Sequence, residues 1–198
     1  MKKESIDTVS GALFFAAFLP YIWAIVHPSD HPTVPSPVSW AIWASVDSLA
    51  LIAMRKEASR KKEKVSTGQL TGAVAGAWVI TILALIFGKP SMGSVEWATV
   101  AIAALGIILW RAKGDALLGL ICAQVATLIG GVPTILDGYR NPKQEDPLAW
   151  SIWFLSCVFA LFAIKKWNLA NALQPLVFTA IETSMVVLVV IRPHLLSS

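Results

Sequence analysis

The sequence predicts an all-α membrane protein whose seven transmembrane helices form two parallel three-helix bundles joined by a linker helix. Three observations predict this fold class: an apolar composition, seven separate apolar stretches, and a helical motif that occurs twice. Hydrophobic residues make up 56% of the 198 residues and charged residues only 14%, whereas a typical soluble domain has about 25% charged residues. The chain therefore has the composition of a protein embedded in a lipid bilayer.

The seven apolar stretches are each close to the roughly 20 residues that a helix needs to cross the hydrocarbon core of a bilayer. Short charged or proline-containing segments separate them, and we expect the charged stretch 55–64 to be a loop. The predicted spans are 8–26, 37–54, 68–88, 95–111, 115–137, 147–164 and 169–191.

Lysine and arginine are distributed unevenly between the two ends of these spans. Twelve of the 16 basic residues fall on the side that carries the N-terminus, and four fall on the other side. Because basic loops stay in the cytosol, we predict a multi-pass protein of the cell membrane with a cytosolic N-terminus and an external C-terminus. The net charge of +4 comes from these short loops, so we expect no nucleic-acid partner.

The duplicated motif is Pro37–Trp43, which recurs as Pro147–Trp153 with its Pro, Trp, Ile and Trp at a constant offset of 110. Each copy belongs to a unit of three spans. A direct fusion of two such units would insert the second one upside down, and a single extra span restores its direction. We therefore predict a first repeat at 1–93, a linker helix at 94–113 and a second repeat at 114–198.

This layout and its prolines resemble the PQ-loop superfamily, and within it most of all the SWEET sugar transporters, which share the 3+1+3 arrangement. The residues that match the proline tetrad of that family are Pro20, Pro37, Pro133 and Pro147. The glutamine of the Pro-Gln signature is absent, since Tyr21 and Thr134 follow the two prolines. The resemblance implies a SWEET-like fold and the transport of a small solute, such as a sugar.

Trp40, Trp43 and Asp47 are spaced three and four residues apart and so share one face of a helix. Trp150 and Trp153 occupy the same face in the second repeat. If the two faces meet, they form an aromatic-walled cavity with one acidic group. The alternative is a belt of aromatic rings at the membrane interface.

Asp47 and Glu182 are the acidic residues that we place deep within spans, at depths where the sequence offers no lysine or arginine. Intramembrane acids usually face a cavity and mark a pathway for ions or protons. We expect them to couple solute movement to protons or to bind a cationic group. The alternative is a protonated acid bonded to a neighbouring helix. The predicted substrate-binding residues are Trp40, Trp43, Asp47, Trp150, Trp153, Glu182 and Thr183.

The four prolines are predicted to be hinge residues. Pro20 and Pro133 lie inside spans, where proline removes a backbone hydrogen bond and bends the helix, so each is either a hinge or a fixed kink. Pro37 and Pro147 fit the first turn of a helix, where proline is tolerated.

The predicted function is a small-solute transporter, either a uniporter or a proton-linked carrier, that works by alternating access between the two bundles. The alternatives are a proton-coupled carrier for amino acids or a vitamin precursor, and a non-transporting membrane receptor or assembly factor. The expected partners are a solute, the bilayer and protons, and a homo-oligomer stays open.

An enzyme is not expected, because the sequence has no Ser/His/Asp set, paired metal ligands or glycine-rich phosphate loop at cavity depth. We expect no cofactor. We also expect no metal site, since His27, Asp30 and His31 lack a fourth ligand.

Overall fold

The computed structural model describes residues 2–27, 35–89, 92–142 and 145–196, without the side chains of Pro133, Asp137 and Leu196. Within these residues the chain is helical and contains no strand. A π-helical segment, Val187–Ile191, separates the last two α-helices. The α-helices are α1 (Lys3–Ala16), α2 (Phe18–Val26), α3 (Pro37–Lys61), α4 (Gly68–Phe87), α5 (Ser94–Lys113), α6 (Ala116–Arg140), α7 (Pro147–Ala163), α8 (Leu169–Val186) and α9 (Arg192–Leu196).

Six helical stretches of the described chain are long and apolar enough to cross a membrane, which is compatible with the expected multi-pass character. They are Lys3–Val26, Pro37–Lys61, Gly68–Phe87, Ser94–Lys113, Ala116–Arg140 and Leu169–Leu195. The remaining predicted span corresponds to α7, which is apolar but only 17 residues long. A helix of that length lies at the lower limit for a span, so the seventh crossing stays a prediction.

The duplicated motif begins both α3 and α7. Pro37 and Pro147 are the first residues of these helices, where the missing N–H of proline has no partner to lose. The side chain of Ser36 accepts a hydrogen bond from the backbone N–H of Ser39 at 3.3 Å. Asp146 caps α7 in the same way. Local sequence therefore fixes the start of both helices.

Helix α3 extends further than the sequence suggested. The prediction that 55–64 forms a loop was wrong for residues 55–61, which continue the helix. Glu57 explains the extension, because its buried carboxylate pairs with Arg60 at 2.7 Å and with Lys61 at 2.9 Å. These partners lie three and four residues later, the spacing that places charges side by side on a helix.

Two prolines within apolar spans affect their helices differently. The first span is broken at Ala17, between α1 and α2, three residues before Pro20. Proline clashes with the preceding turn and leaves a carbonyl without its helical partner, which accounts for the break. Pro175 lies inside α8 without ending it, and this position was not singled out from the sequence.

The helices pack in a repeated order. α4 contacts both α1 and α3, and α8 contacts both α6 and α7. Contacts of α1 with α7 and of α3 with α6 join these two groups, while α5 packs mainly on α6. Two glycines allow the close crossing of α1 and α4, because a Cβ atom added to Gly72 would lie 2.2 Å from the carbonyl oxygen of Gly11.

The two ends of the molecule differ in their residues. The basic end contains residues 2–4 at the start of α1 and the segments 55–68, 111–116 and 163–169, which carry 12 of the 16 lysines and arginines. The proline end contains the starts of α3 and α7 at Pro37 and Pro147.

Candidate functional site

A central cavity of about 310 Å³ lies among α1 to α4 and α6 to α8. Small-molecule sites usually begin at about 300 Å³, so this cavity has the size of a site for a small solute. Both predicted repeats contribute side chains to its wall. Six of the seven predicted substrate-binding residues line it: Trp40, Trp43, Asp47, Trp150, Trp153 and Glu182.

Thr183 does not belong to this wall. Its side chain is exposed, although the neighbouring Glu182 faces the cavity. One step along an α-helix turns the side chain by about 100°, so Thr183 points away from the cavity. Placing residues at the same depth therefore did not place them on the same face.

The aromatic wall is held by ring packing and by hydrogen bonds. The rings of Trp150 and Trp153 meet edge to face at 5.0 Å between centroids, and Trp153 meets Phe18 at 5.1 Å. The indole Nε1 of Trp153 donates to the carbonyl of Phe14 at 3.1 Å. Trp150 donates to a carboxylate oxygen of Glu145 at 2.9 Å. These contacts fix the ring orientations.

Sequence reasoning missed four aromatic residues of the wall. Phe14, Phe18, Tyr21 and Phe178 also line the central cavity, which gives it eight aromatic side chains in total. The first three are spaced four and three residues apart. This spacing marks one helix face and could have identified them, although the break at Ala17 shifts their geometry.

The two deep acids have no partner for at least one oxygen. Asp47 and Glu182 are 3% and 6% exposed, and both line the central cavity. Asp47 Oδ1 and Glu182 Oε2 have no hydrogen-bond partner among the described residues. Burying a carboxyl group without partners costs several kcal/mol or shifts it to its neutral form, so a ligand or a proton at this position is favoured.

Two further acids lie at the mouth of the cavity, and both have partners. Asp146 accepts hydrogen bonds from the backbone N–H groups of Leu148 and Ala149 at 2.8 and 3.0 Å. Glu145 accepts the bond from Trp150. Asp146 is exposed while it lines the cavity, so the cavity reaches solvent at the proline end.

Beyond Glu182, toward the basic end, a chain of buried polar side chains closes the cavity. Gln174 Nε2 donates to Gln69 Oε1 at 3.1 Å, and Gln69 Nε2 donates to Cys157 Sγ at 3.0 Å. None of these three residues is more than 2% exposed. Their bonds connect α4 with α7 and α8, which belong to different predicted repeats.

A smaller cavity of about 150 Å³ adjoins the central one across Trp43 and is also lined by Glu96 and Thr127. The hydroxyl of Thr127 has no partner among the described residues, and neither does the side-chain amide of Gln124. Gln124 does not line the central cavity. Thr127 faces the junction of α3, α5 and α6.

The predicted hinge residues occupy different positions. Pro20 follows the break at Ala17, and Pro37 and Pro147 begin their helices. Pro133 lies inside α6, and its side chain is outside the described part of the chain. Their role as hinges stays a prediction.

His27 is described, whereas Asp30 and His31 lie outside the described residues. In the part of the chain that the structure describes, no group of three His, Cys, Asp or Glu residues is placed to hold a metal ion.

Comparisons with known proteins were made at the level of family, sequence and structure. No protein-family model, no curated protein sequence and no solved structure matches this chain.

Proposed function

We propose that this protein is a membrane transporter that moves a small solute by alternating access between two three-helix bundles, residues 1–93 and 114–198. The observation that carries the proposal is the central cavity itself. Its wall takes Trp40, Trp43 and Asp47 from one bundle and Trp150, Trp153 and Glu182 from the other. A solute bound there would contact both bundles at once, as alternating access requires.

The order of helix contacts supports a duplicated, SWEET-like architecture. In each proposed bundle the third helix, α4 or α8, contacts the other two. The contacts of α1 with α7 and of α3 with α6 then form the interface between bundles. A parallel duplication around an axis along the membrane normal produces this symmetry, and α5 takes the part of the linker.

The two ends of the cavity support one particular state. The mouth at the proline end is bordered by the exposed Asp146, and buried side chains close the basic end. With the basic end in the cytosol, as the distribution of lysine and arginine favours, this is an outward-open state. Transport would require the contacts at the basic end to separate while the mouth closes.

The energy source is either the solute gradient or protons. No glycine-rich phosphate-binding motif occurs in the sequence, which argues against nucleotide hydrolysis by this chain. Asp47 and Glu182 are the groups positioned for proton coupling. Loss of proton coupling on Asp47→Asn or Glu182→Gln substitution would identify a proton-linked carrier, and retention of pH-independent transport would identify a uniporter.

Counterflow in proteoliposomes tests the proposal. Purified protein is reconstituted and assayed with labelled sugars, amino acids, amines and nucleosides, at mildly acidic and at neutral pH. We expect saturable counterflow for one class, and its loss in Trp153→Ala. Trp97→Ala is the matched control, because Trp97 is 62% exposed and lies outside the described wall.

If monodisperse, folded protein shows no counterflow for any solute class, the transport proposal is contradicted. Stable co-purification of a partner in that case would favour the receptor or assembly factor, since one fold hosts several functions.

A further inference from the structure

We propose that the central cavity selects an organic cation, namely an amine or quaternary ammonium group on an apolar or aromatic body. This inference deepens the proposed transport function and rests on it for the statement that the cation is the transported solute. Three properties of the cavity carry it: the sign of its charges, the unsatisfied oxygens at its base and its aromatic wall.

The charges of the wall have one sign. Asp47, Glu145, Asp146 and Glu182 line the cavity, and no lysine, arginine or histidine belongs to its described lining. A wall of this kind attracts cations and repels anions, because charges interact more strongly in a site that water only partly fills. A carboxylate solute, such as a simple organic acid, is therefore disfavoured.

The acids at the mouth of the cavity and the acids at its base differ in their hydrogen-bond partners. Glu145 and Asp146, at the mouth, have hydrogen-bond donors from the protein. Asp47 and Glu182, at the base, each keep an oxygen without a described partner, although both are more than nine-tenths buried. A protonated amine supplies both the charge and the N–H donors that these oxygens lack, whereas a quaternary ammonium ion supplies the charge alone. A neutral sugar supplies donors without the charge.

The aromatic wall suits the same ligand. The faces of Trp, Tyr and Phe rings attract cations, and aromatic cages are a recurrent way of recognising ammonium groups. Eight aromatic residues line the cavity. The two described cation–π contacts of this chain involve Trp110 and Tyr139, which lie outside the cavity lining. The ring faces of the cavity therefore have no described cation of their own.

The size of the cavity limits the ligand. A volume of about 310 Å³ equals roughly ten water molecules at about 30 Å³ each. This accommodates an arylalkylamine or a small tetraalkylammonium ion, and it excludes a large peptide.

The test is a direct binding measurement on the purified, detergent-solubilised full chain by isothermal titration calorimetry. The probes are phenethylammonium, tetraethylammonium, the neutral and nearly isosteric phenethyl alcohol, and the anion phenylacetate. We expect at least one of the two cations to bind at least about tenfold more tightly than the alcohol, and we expect phenylacetate not to bind.

Two variants test the base of the cavity. Asp47→Asn and Glu182→Gln keep the side-chain volume and remove the charge, and we expect each to weaken the binding of that cation by about tenfold or more. Asp115→Asn and Trp97→Phe are the matched controls, since neither residue belongs to the described cavity wall. Monodispersity and thermal melting confirm that every variant is folded.

Any one of these results would overturn the cation proposal: equal binding of phenethyl alcohol, full cation binding by a folded Asp47→Asn/Glu182→Gln double variant, or no binding of either cation by the wild type. The comparison of cation with alcohol needs no variant, so a misfolded variant does not prevent a decision. A pH-dependent affinity that is the same for alcohol and cation would assign the acids to protons and would also overturn it.

Failure of this proposal is distinguishable from failure of the transport function. Hexose counterflow that is unaffected by both acid variants would keep the transporter and remove the cation site. Selective cation binding without any counterflow would keep the site and remove the transporter.

Discussion

The two ends of the central cavity differ in how the proposed bundles meet. On the side of the cavity toward the basic end, Ser10 and Ser156 bond reciprocally, each hydroxyl donating to the carbonyl of the other at 2.9 and 2.8 Å. Ser66 donates to the carbonyl of Ala163 at 2.7 Å. At the proline end, the described wall opens to solvent beside Asp146. One end is therefore tied across the bundles, and the other gives access to the cavity.

The hydrogen bonds at the closed end are weak enough to break during a conformational change. These bonds join small side chains to backbone carbonyls, and helix-to-helix hydrogen bonds in membrane proteins average only about 0.6 kcal/mol. A handful of such bonds amounts to a few kcal/mol, a difference that ligand binding can overcome. A tightly closed end therefore does not require a deep energy well.

The largest effect on stability is expected from forcing α1 and α4 apart on the closed side of the cavity. Gly72→Val places a side chain where its Cβ would lie 2.2 Å from the backbone oxygen of Gly11. Because a backbone carbonyl of a helix cannot move aside alone, α1 and α4 must separate. We expect a loss of at least about 3 kcal/mol, or roughly 6–12 °C in Tm, measured by thermal melting in detergent.

Ala75→Val is the matched control, since Ala75 lies on the exposed face of the same helix. A Tm for Gly72→Val within 1–2 °C (roughly the scatter between neutral variants) of that control would show that α1 and α4 do not cross closely here.

The second prediction concerns the solvent accessibility of the two ends of the cavity. In a Cys122→Ser background, Ser39→Cys places a thiol in the described cavity wall, and Ser156→Cys places one at a position that is fully buried at the basic end. Thiol reactivity follows exposure, so we expect a membrane-impermeant maleimide to label Ser39→Cys roughly tenfold faster or more. Mass spectrometry of the intact protein measures both rates, and equal rates would remove the distinction between the two ends.

The sequence predicted the side chains of the cavity wall better than the hydrogen bonds that join the helices at the closed end. The duplicated motif placed four tryptophans on corresponding helix faces, because the spacing of residues along a helix can be read directly from the sequence. They are Trp40, Trp43, Trp150 and Trp153. Thr183 was misplaced because depth alone does not specify which side of a helix a residue occupies.

The hydrogen bonds of the closed end could not be predicted. Ser10 and Ser156 are separated by 146 residues, and neither belongs to a motif. Gln69 pairs with Cys157, which lies 88 residues further along the chain. Such pairs depend on the packing order of the helices, which a single sequence does not reveal. The unpartnered oxygens of Asp47 and Glu182 likewise become visible only once every neighbour is placed.

A smaller effect is expected from weakening the closed end without crowding it. The Ser10→Ala/Ser156→Ala double variant removes the reciprocal bonds and leaves both carbonyls to be satisfied within their helices. At about 0.6 kcal/mol for each bond, we expect the Tm to fall by roughly 2–5 °C. We also expect maleimide labelling of Ser39→Cys to slow in this background, because the basic end opens and the mouth closes. An unchanged labelling rate would show that the two ends are not coupled.

The smallest effect on stability is expected from an ion pair that lies outside the predicted spans. Glu63 forms an ion pair with Lys166 and accepts a hydrogen bond from Asn168 at 2.9 Å, and both partners belong to the other proposed bundle. The hydrogen bond from the Lys166 ammonium, together with that from the Asn168 amide, holds the pKa of Glu63 below its ordinary value. Because the folded pKa is depressed, this stabilisation is present above the unfolded value of about 4.3 and is lost as the pH falls through the folded value.

Glu63→Gln should therefore lower the Tm slightly at neutral pH, and the difference from the wild type should shrink as the pH falls below about 4.3 and vanish below the depressed folded pKa of Glu63. Melting curves across this range measure it, with Asp115→Asn as the control for general charge removal. The effect stays small because solvent screens exposed ion pairs. A difference that persists at low pH would mean that Glu63 acts through its packing and not through its charge, and the closed end would then depend on shape and neutral hydrogen bonds alone.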